Sequence, residues 1–196
     1  MVILLFVSRI YLYSQPNCKL KKDQDSIKVY TCHTDTFRFK SIIAEFTINT
    51  TLDQLAGIAL DIPNYTKWQY NTVESNVVTR ISEYDQIYHT VIKAPWPVTD
   101  RDMVVNIKVK YDNDNQGMTI TTESKKGILP AKVGFVRVPS SRGLWIVKQI
   151  NKNRLHVKYT MQIDPGGSVP TWLVDWVCAQ APYQSFKSLK TIFEGK

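Results

Sequence analysis

Few residues in this 196-residue chain have the types and spacing that chemistry requires. The three histidines, His33, His89 and His156, fall on three separate strand-like segments, so they do not form a cluster by local spacing. The three cysteines, Cys18, Cys32 and Cys178, lack any Cys-x-x-Cys or metal-ligand spacing. Neither a zinc site nor a disulfide framework is therefore expected, although one pair could still be brought together by the fold. No Gly-x-Ser-x-Gly, His-Glu-x-x-His or phosphate-loop pattern occurs. The charges of most interest are the adjacent Arg101 and Asp102. Neighbouring strand residues point to opposite faces, so the two are not expected to act on one ligand. One reading has one of them anchor the Pro97 turn or pair across strands, with Arg137 as a candidate partner. The other has Arg101, in phase with Met103, Val105 and Ile107, enter a cavity as a polar anchor, because a buried guanidinium needs a partner.

The elements that must position these residues are strongly patterned. From Asp164 the chain reads Asp-Pro-Gly-Gly as a turn, then Ser168 as a cap and Pro170 in an early helical position. Trp172, Leu173, Trp176, Val177, Tyr183, Phe186, Leu189, Ile192 and Phe193 follow at three-to-four-residue spacing, which predicts one long closing helix with a wide apolar face. Pro182 lies inside it and removes one backbone hydrogen bond. That position predicts a hinge, with the half carrying Tyr183, Phe186 and Leu189 free to swing.

Ahead of this helix, SIKVYTC and FRFKSIIAEFTIN read as two antiparallel strands. Thr51 with Gln54 forms a capping box for a helix of about three turns, which Asp61-Ile62-Pro63-Asn64 ends before a short helical turn with Tyr65 and Trp68 inward. Residues 73–163 read as five or six antiparallel strands, with turns at 82–85, 112–117, 139–143 and 151–153. Period-2 alternation places Met103, Val105, Ile107, Val109 and Tyr111 on one face, opposite Val104, Asn106, Lys108 and Lys110. It likewise sets Leu155, Val157, Tyr159 and Met161 against His156, Lys158 and Thr160. The economical architecture is α+β, a curved antiparallel sheet whose apolar concave face wraps the terminal helix.

Composition sets the outer bounds. At 43% hydrophobic and 21% charged residues, the chain is an ordinary globular protein rather than a disordered one. Its net charge of +8 permits attraction to anionic surfaces, yet the lysines are dispersed and carry no interleaved aromatics, so no nucleic-acid partner is expected. Residues 1–15 form an apolar run too short to span a bilayer. They read as a signal segment, whole or truncated, ahead of a single domain over 16–196. The expected location is thus extracytoplasmic, periplasmic or secreted, and otherwise cytoplasmic.

Five spaced elements carry a family resemblance: IKVYT, Asp61-Tyr65-Trp68, KAPWPVTDRD at 93–102, Arg137-Val138-Pro139 with Gly143 and Trp145, and DPGG-x-x-P-x-W-L at 164–173. In order and spacing, the stretch from about Ser26 to Phe193 resembles START domains, the lipid-transfer modules related to the steroidogenic acute regulatory protein, particularly their bacterial START-like members. The resemblance implies a helix-grip fold and an apolar tunnel holding one lipid or other hydrophobic small molecule, without a cofactor. A charged pair buried in the tunnel of some relatives falls on Tyr88 and Ile107 here. The residues expected along the tunnel are Tyr88, Trp96, Arg101, Met103, Val105, Ile107, Trp145, Val157, Tyr159, Trp172, Trp176 and Tyr183. The function expected is that of a non-enzymatic, monomeric carrier with transient membrane contact. A cyclase or hydratase-like enzyme on the same scaffold, or an interaction module with a filled core, are the alternatives.

Overall fold

The computed structural model describes residues 17–33 and 41–195, without the side chains of Asn17, Thr171, Trp172, Asp175 and Trp176. The expected signal segment 1–15 lies outside the described residues. Among the described residues ten strands form one sheet: β1 (Asn17–Gln24), β2 (Ile27–His33), β3 (Ser41–Ile48), β4 (Thr72–Ser82), β5 (Asp85–Ile92), β6 (Arg101–Tyr111), β7 (Gly117–Ser124), β8 (Val136–Arg137), β9 (Ser140–Asn151) and β10 (Arg154–Asp164). Their order is β1-β2-β3-β10-β9-β7-β6-β5-β4, antiparallel throughout this path, with β8 added in parallel to β6. The helices are α1 (Leu52–Leu60) and α2 (Thr171–Glu194), and a tighter helical turn, Ile62–Lys67, follows α1.

Sequence chemistry explains each junction. Thr51 accepts a hydrogen bond from the Gln54 N–H while the Gln54 side chain accepts from the Thr51 N–H, the reciprocal cap that starts α1. Segment 49–71 then carries the chain from β3 to the far edge strand β4, burying Tyr65 and Trp68 on the way. The inner faces of the sheet and the inner side of α2 meet in a continuous core that includes Val29, Ala44, Phe46, Ile120, Val147, Phe186 and Leu189. This is the helix-grip arrangement, a curved antiparallel sheet closed by a C-terminal helix.

The structure departs from expectation in four places. Strand β1, NCKLKKDQ, is polar and basic and carries no apolar alternation that would mark it as a strand. Its lysines suit an exposed edge strand, and Asp25 and Ser26, both at positive φ, form the two-residue turn that pairs it with β2. That pairing sets Cys18 opposite Cys32, and the two are joined by a disulfide, which local cysteine spacing could not reveal. Residues 140–143 belong to β9; the break lies earlier, at 125–135, a strap that covers Val104 on the face expected to be polar. Finally, α2 starts at Thr171, two residues later than a Ser168 cap would set it. Pro170 sits at its cap position, no side chain caps it, and the Pro170 carbonyl accepts from Leu173 and Val174.

Candidate functional site

Between the inner sheet face and the first half of α2 lies a cavity of about 300 Å³. Period-2 alternation supplies its walls: Tyr88, Thr90 and Ile92 from β5, Arg101, Met103, Val105 and Ile107 from β6, Trp145 from β9, and Tyr159, Met161 and Ile163 from β10. Helix α2 closes it with Leu173, Val174, Val177, Cys178 and Ala181. The segment 65–72 and the loop 93–98 complete the boundary. Tyr65 and Trp68 were foreseen as inward-facing, but not as cavity wall; their distance in sequence from the strands hid that role.

Aromatic edges organise both ends. Trp145, Tyr159 and Phe186 meet edge to face with centroids 5.2 to 5.4 Å apart, and Phe46 stacks on Phe186 at 4.5 Å. Tyr65 contacts Trp68 at 5.3 Å and Tyr88 at 5.4 Å in the same manner. Burial pushes the phenols of Tyr88 and Tyr159 well up, so both remain protonated donors. The Tyr159 hydroxyl lies 2.7 Å from the Met161 sulfur, whereas the Tyr88 hydroxyl meets no partner among the described residues.

Seven of the twelve residues expected to face the cavity do border it: Tyr88, Arg101, Met103, Val105, Ile107, Trp145 and Tyr159. Three do not. Trp96 is 90% exposed beyond the mouth, because the loop between Pro95 and Pro97 turns it outward. Val157 is fully buried but lies in register with Phe46 and Val147, where the Phe46–Phe186 stack fills the space under the helix. Tyr183 points to the other flank of α2, donating to Asp25 Oδ2 at 2.6 Å. The side chains of Trp172 and Trp176 lie outside the described set.

Arg101 and Asp102 do face opposite ways. Asp102, fully buried, receives Arg137 through Nε at 3.0 Å and Nη2 at 2.7 Å, with His89 Nε2 at 3.1 Å. Burial alone would raise the Asp102 carboxyl; the hydrogen bonds from Arg137 and His89 outweigh it and hold the group below the usual carboxylate range. Arg137 also donates to the Leu129 and Pro130 carbonyls, so this outer-face network fastens the 125–135 strap. The His89–Asp102 contact was missed because a diagonal cross-strand pair depends on register, here His89 opposite Val104.

Among the described residues, no group of three or more His, Cys, Asp or Glu side chains is arranged to hold a metal ion. The cavity offers apolar contact, a few hydroxyl and amide groups, and the guanidinium of Arg101 at its border.

The family model for the START domain matches residues 18–193. An uncharacterised protein of Pseudomonas aeruginosa is 27% identical over 178 residues, which is 90% of this chain and 86% of that protein. The phosphatidylcholine transfer protein of Rattus norvegicus is 25% identical over 126 residues, 62% of this chain and 58% of its own length. The solved structure of a STAR-related lipid transfer protein from Xanthomonas axonopodis, a fragment spanning 25–204, has a TM-score of 0.82 at 25% identity and covers 90% of this chain and 98% of that one. The family match runs from the first described strand through the core half of α2, and so takes in every element that encloses the cavity: the chain belongs to the START domain family.

Proposed function

We propose that this protein is a non-enzymatic carrier that binds a lipid or another hydrophobic small molecule in the cavity between the sheet and α2. The observation that carries this reading is the cavity wall itself, built mainly from aliphatic and aromatic side chains. An acyl chain leaving water gains about 0.8 kcal/mol per methylene, on the order of 12 kcal/mol gross for sixteen carbons, so such a wall needs few polar contacts to hold it. The lipid-transfer proteins among its relatives support the same class of ligand. The buried His89–Asp102 pair, the nearest approach to an acid–base couple, sits on the outer face and not in the cavity, which favours a carrier over an enzyme.

Two further parts of the reading rest on surface features. Exposed Trp96 beside the cavity mouth suits transient contact with a membrane, since indole partitions to the bilayer interface. The Cys18–Cys32 disulfide suits an oxidising, extracytoplasmic setting. Native mass spectrometry with lipid extraction of the purified protein tests the central claim. A stoichiometric hydrophobic guest is the expected result; a guest-free protein that takes up no lipid from vesicles would sink it.

A further inference from the structure

Arg101 is a buried cation whose neighbours do not neutralise it. It is 8% exposed and borders the cavity at the start of β6, in phase with Met103, Val105 and Ile107. Its Nε donates to the Pro165 carbonyl and its Nη2 to the Gly166 carbonyl, each at 3.4 Å, while Nη1 donates to the Thr99 carbonyl. A guanidinium has five N–H donors, so the three carbonyls leave two without a partner. Among the described residues no carboxylate lies within 4.0 Å of it. The carboxylates nearest in sequence are turned to backbone: Asp100 accepts from the Ala94 N–H at 2.9 Å, and Asp164 accepts from the Gly166 N–H at 2.9 Å. Arg137 shows the contrast, because the same side chain on the outer face is held by both oxygens of Asp102.

Burying a guanidinium against neutral carbonyls alone is far costlier than burying it against a carboxylate. Burial accordingly pulls the Arg101 pKa down, opposed by the nearby charge of Asp100. Position supplies the second observation. Arg101 borders the apolar cavity on one side and, on the other, a recess formed by residues 164–170 and Val174. Gly166 and Gly167, at φ +66° and +59°, shape that recess; Asp164 also lines it, its Oδ1 turned to the Gly166 N–H, and the first turn of α2 carries no acidic residue. The one other cation on the cavity boundary among the described residues, Lys93, is exposed.

We propose that the cavity is made for an amphiphile with a single anionic group, a long-chain carboxylate or a monoester phosphate, and that Arg101 is the counter-ion for that group. The tail lies along the apolar wall of β5, β6 and β10, and the head reaches the two unused guanidinium donors. This deepens the carrier reading and rests on it.

Competition against a fluorescent fatty acid, using the purified full chain at neutral pH, separates the two. Three probes share one tail: oleate, methyl oleate and oleylamine. Wild-type protein should bind oleate at least about tenfold tighter than methyl oleate, the effect of one charge-assisted contact, and methyl oleate tighter than oleylamine. Arg101→Gln should bring the oleate to methyl oleate ratio close to one, and Arg101→Lys should leave it intermediate, since an ammonium keeps the charge without the fork. Equal wild-type affinities for oleate and methyl oleate overturn the assignment while leaving the carrier reading intact. So does a preference that survives Arg101→Gln. Failure of all three probes to bind wild-type protein overturns both. Arg101 also ties Thr99 to the 165–166 turn, so if Arg101→Gln does not fold, the wild-type order of the three probes decides alone.

Discussion

Helix α2 has two halves that differ in what holds them. After Pro182, Phe186 and the fully buried Leu189 sit in the core, the Ser185 hydroxyl accepts from the Tyr70 N–H at 2.9 Å, and three residues converge on the β1–β2 turn. Tyr183 donates to Asp25 Oδ2 at 2.6 Å, Lys187 Nζ lies 2.9 Å from the same carboxylate, and Lys190 Nζ donates to the Asp25 carbonyl at 2.9 Å. Before Pro182, Leu173, Val174, Val177 and Cys178 face the cavity, which beyond it reaches only Ser185 and Phe186. Most of the ligand-facing surface thus precedes Pro182, and most of the anchorage follows it. These ties weigh against the swing expected of the half beyond Pro182; the half before it, with a cavity beneath it, is the one expected to open.

The sharpest way to break this comparison is to cut an apolar group from each half. Leu189→Ala should cost about 2–5 kcal/mol in urea unfolding, whereas Val174→Ala, half-buried over the cavity, should cost under about 1.5 kcal/mol. Equal losses would mean the halves are equally anchored. The disulfide comes next, because it pins the hairpin to which the second half is tied. It closes a loop of sequence separation 14, so the Cys18→Ser, Cys32→Ser double variant should lose about 3 kcal/mol. Its thermal midpoint, compared with that of wild type, checks this. Pro182→Ala should act more weakly on stability, restoring one backbone hydrogen bond worth about 1 kcal/mol. It should also slow the exchange of a fluorescent fatty acid by a few-fold, measured by stopped flow. Unchanged exchange with raised stability would make the proline a packing accommodation only.

What was legible in the sequence follows the range of the forces involved. The capping box at Thr51, the apolar stripe of α2 and the inward phase of Met103, Val105 and Ile107 are local, repeating signals, and each appears where its period puts it. Strand β1 was hidden because an edge strand has little apolar face to display. The Cys18–Cys32 bond, the His89–Asp102 contact and the Tyr183–Asp25 tie all depend on register between segments, which no local period encodes. Trp96 shows the opposite failure. A large aromatic flanked by prolines looks like core by type, but its backbone lies in a loop that turns outward. The unpartnered charge of Arg101 was half visible: its phase came from the strand, while its want of a carboxylate needed the turn at 164–167 in place.

The smallest expected effect tests the tie itself. Asp25 is held below the usual carboxylate range first by the hydrogen bond from Tyr183 and then by Lys187, while partial desolvation works against them. Its carboxyl is therefore more acidic in the folded protein than in the unfolded chain, where it titrates near about 3.9. A group depressed in this way stabilises the fold fully above the unfolded value, and that contribution is lost as pH falls through the folded one. Asp25→Asn should thus be slightly less stable than wild type at neutral pH, with the gap closing as the pH is lowered toward about 3. The cluster is exposed, so salt should shrink the gap as well. Exchange of the fluorescent fatty acid should stay at the wild-type rate in this variant, because Asp25 touches only the tied half of α2. No stability gap at any pH would assign the tie to the Lys190 contact with the Asp25 carbonyl, which the substitution keeps. Faster exchange would show that the two halves move as one, and the division drawn at Pro182 would not hold.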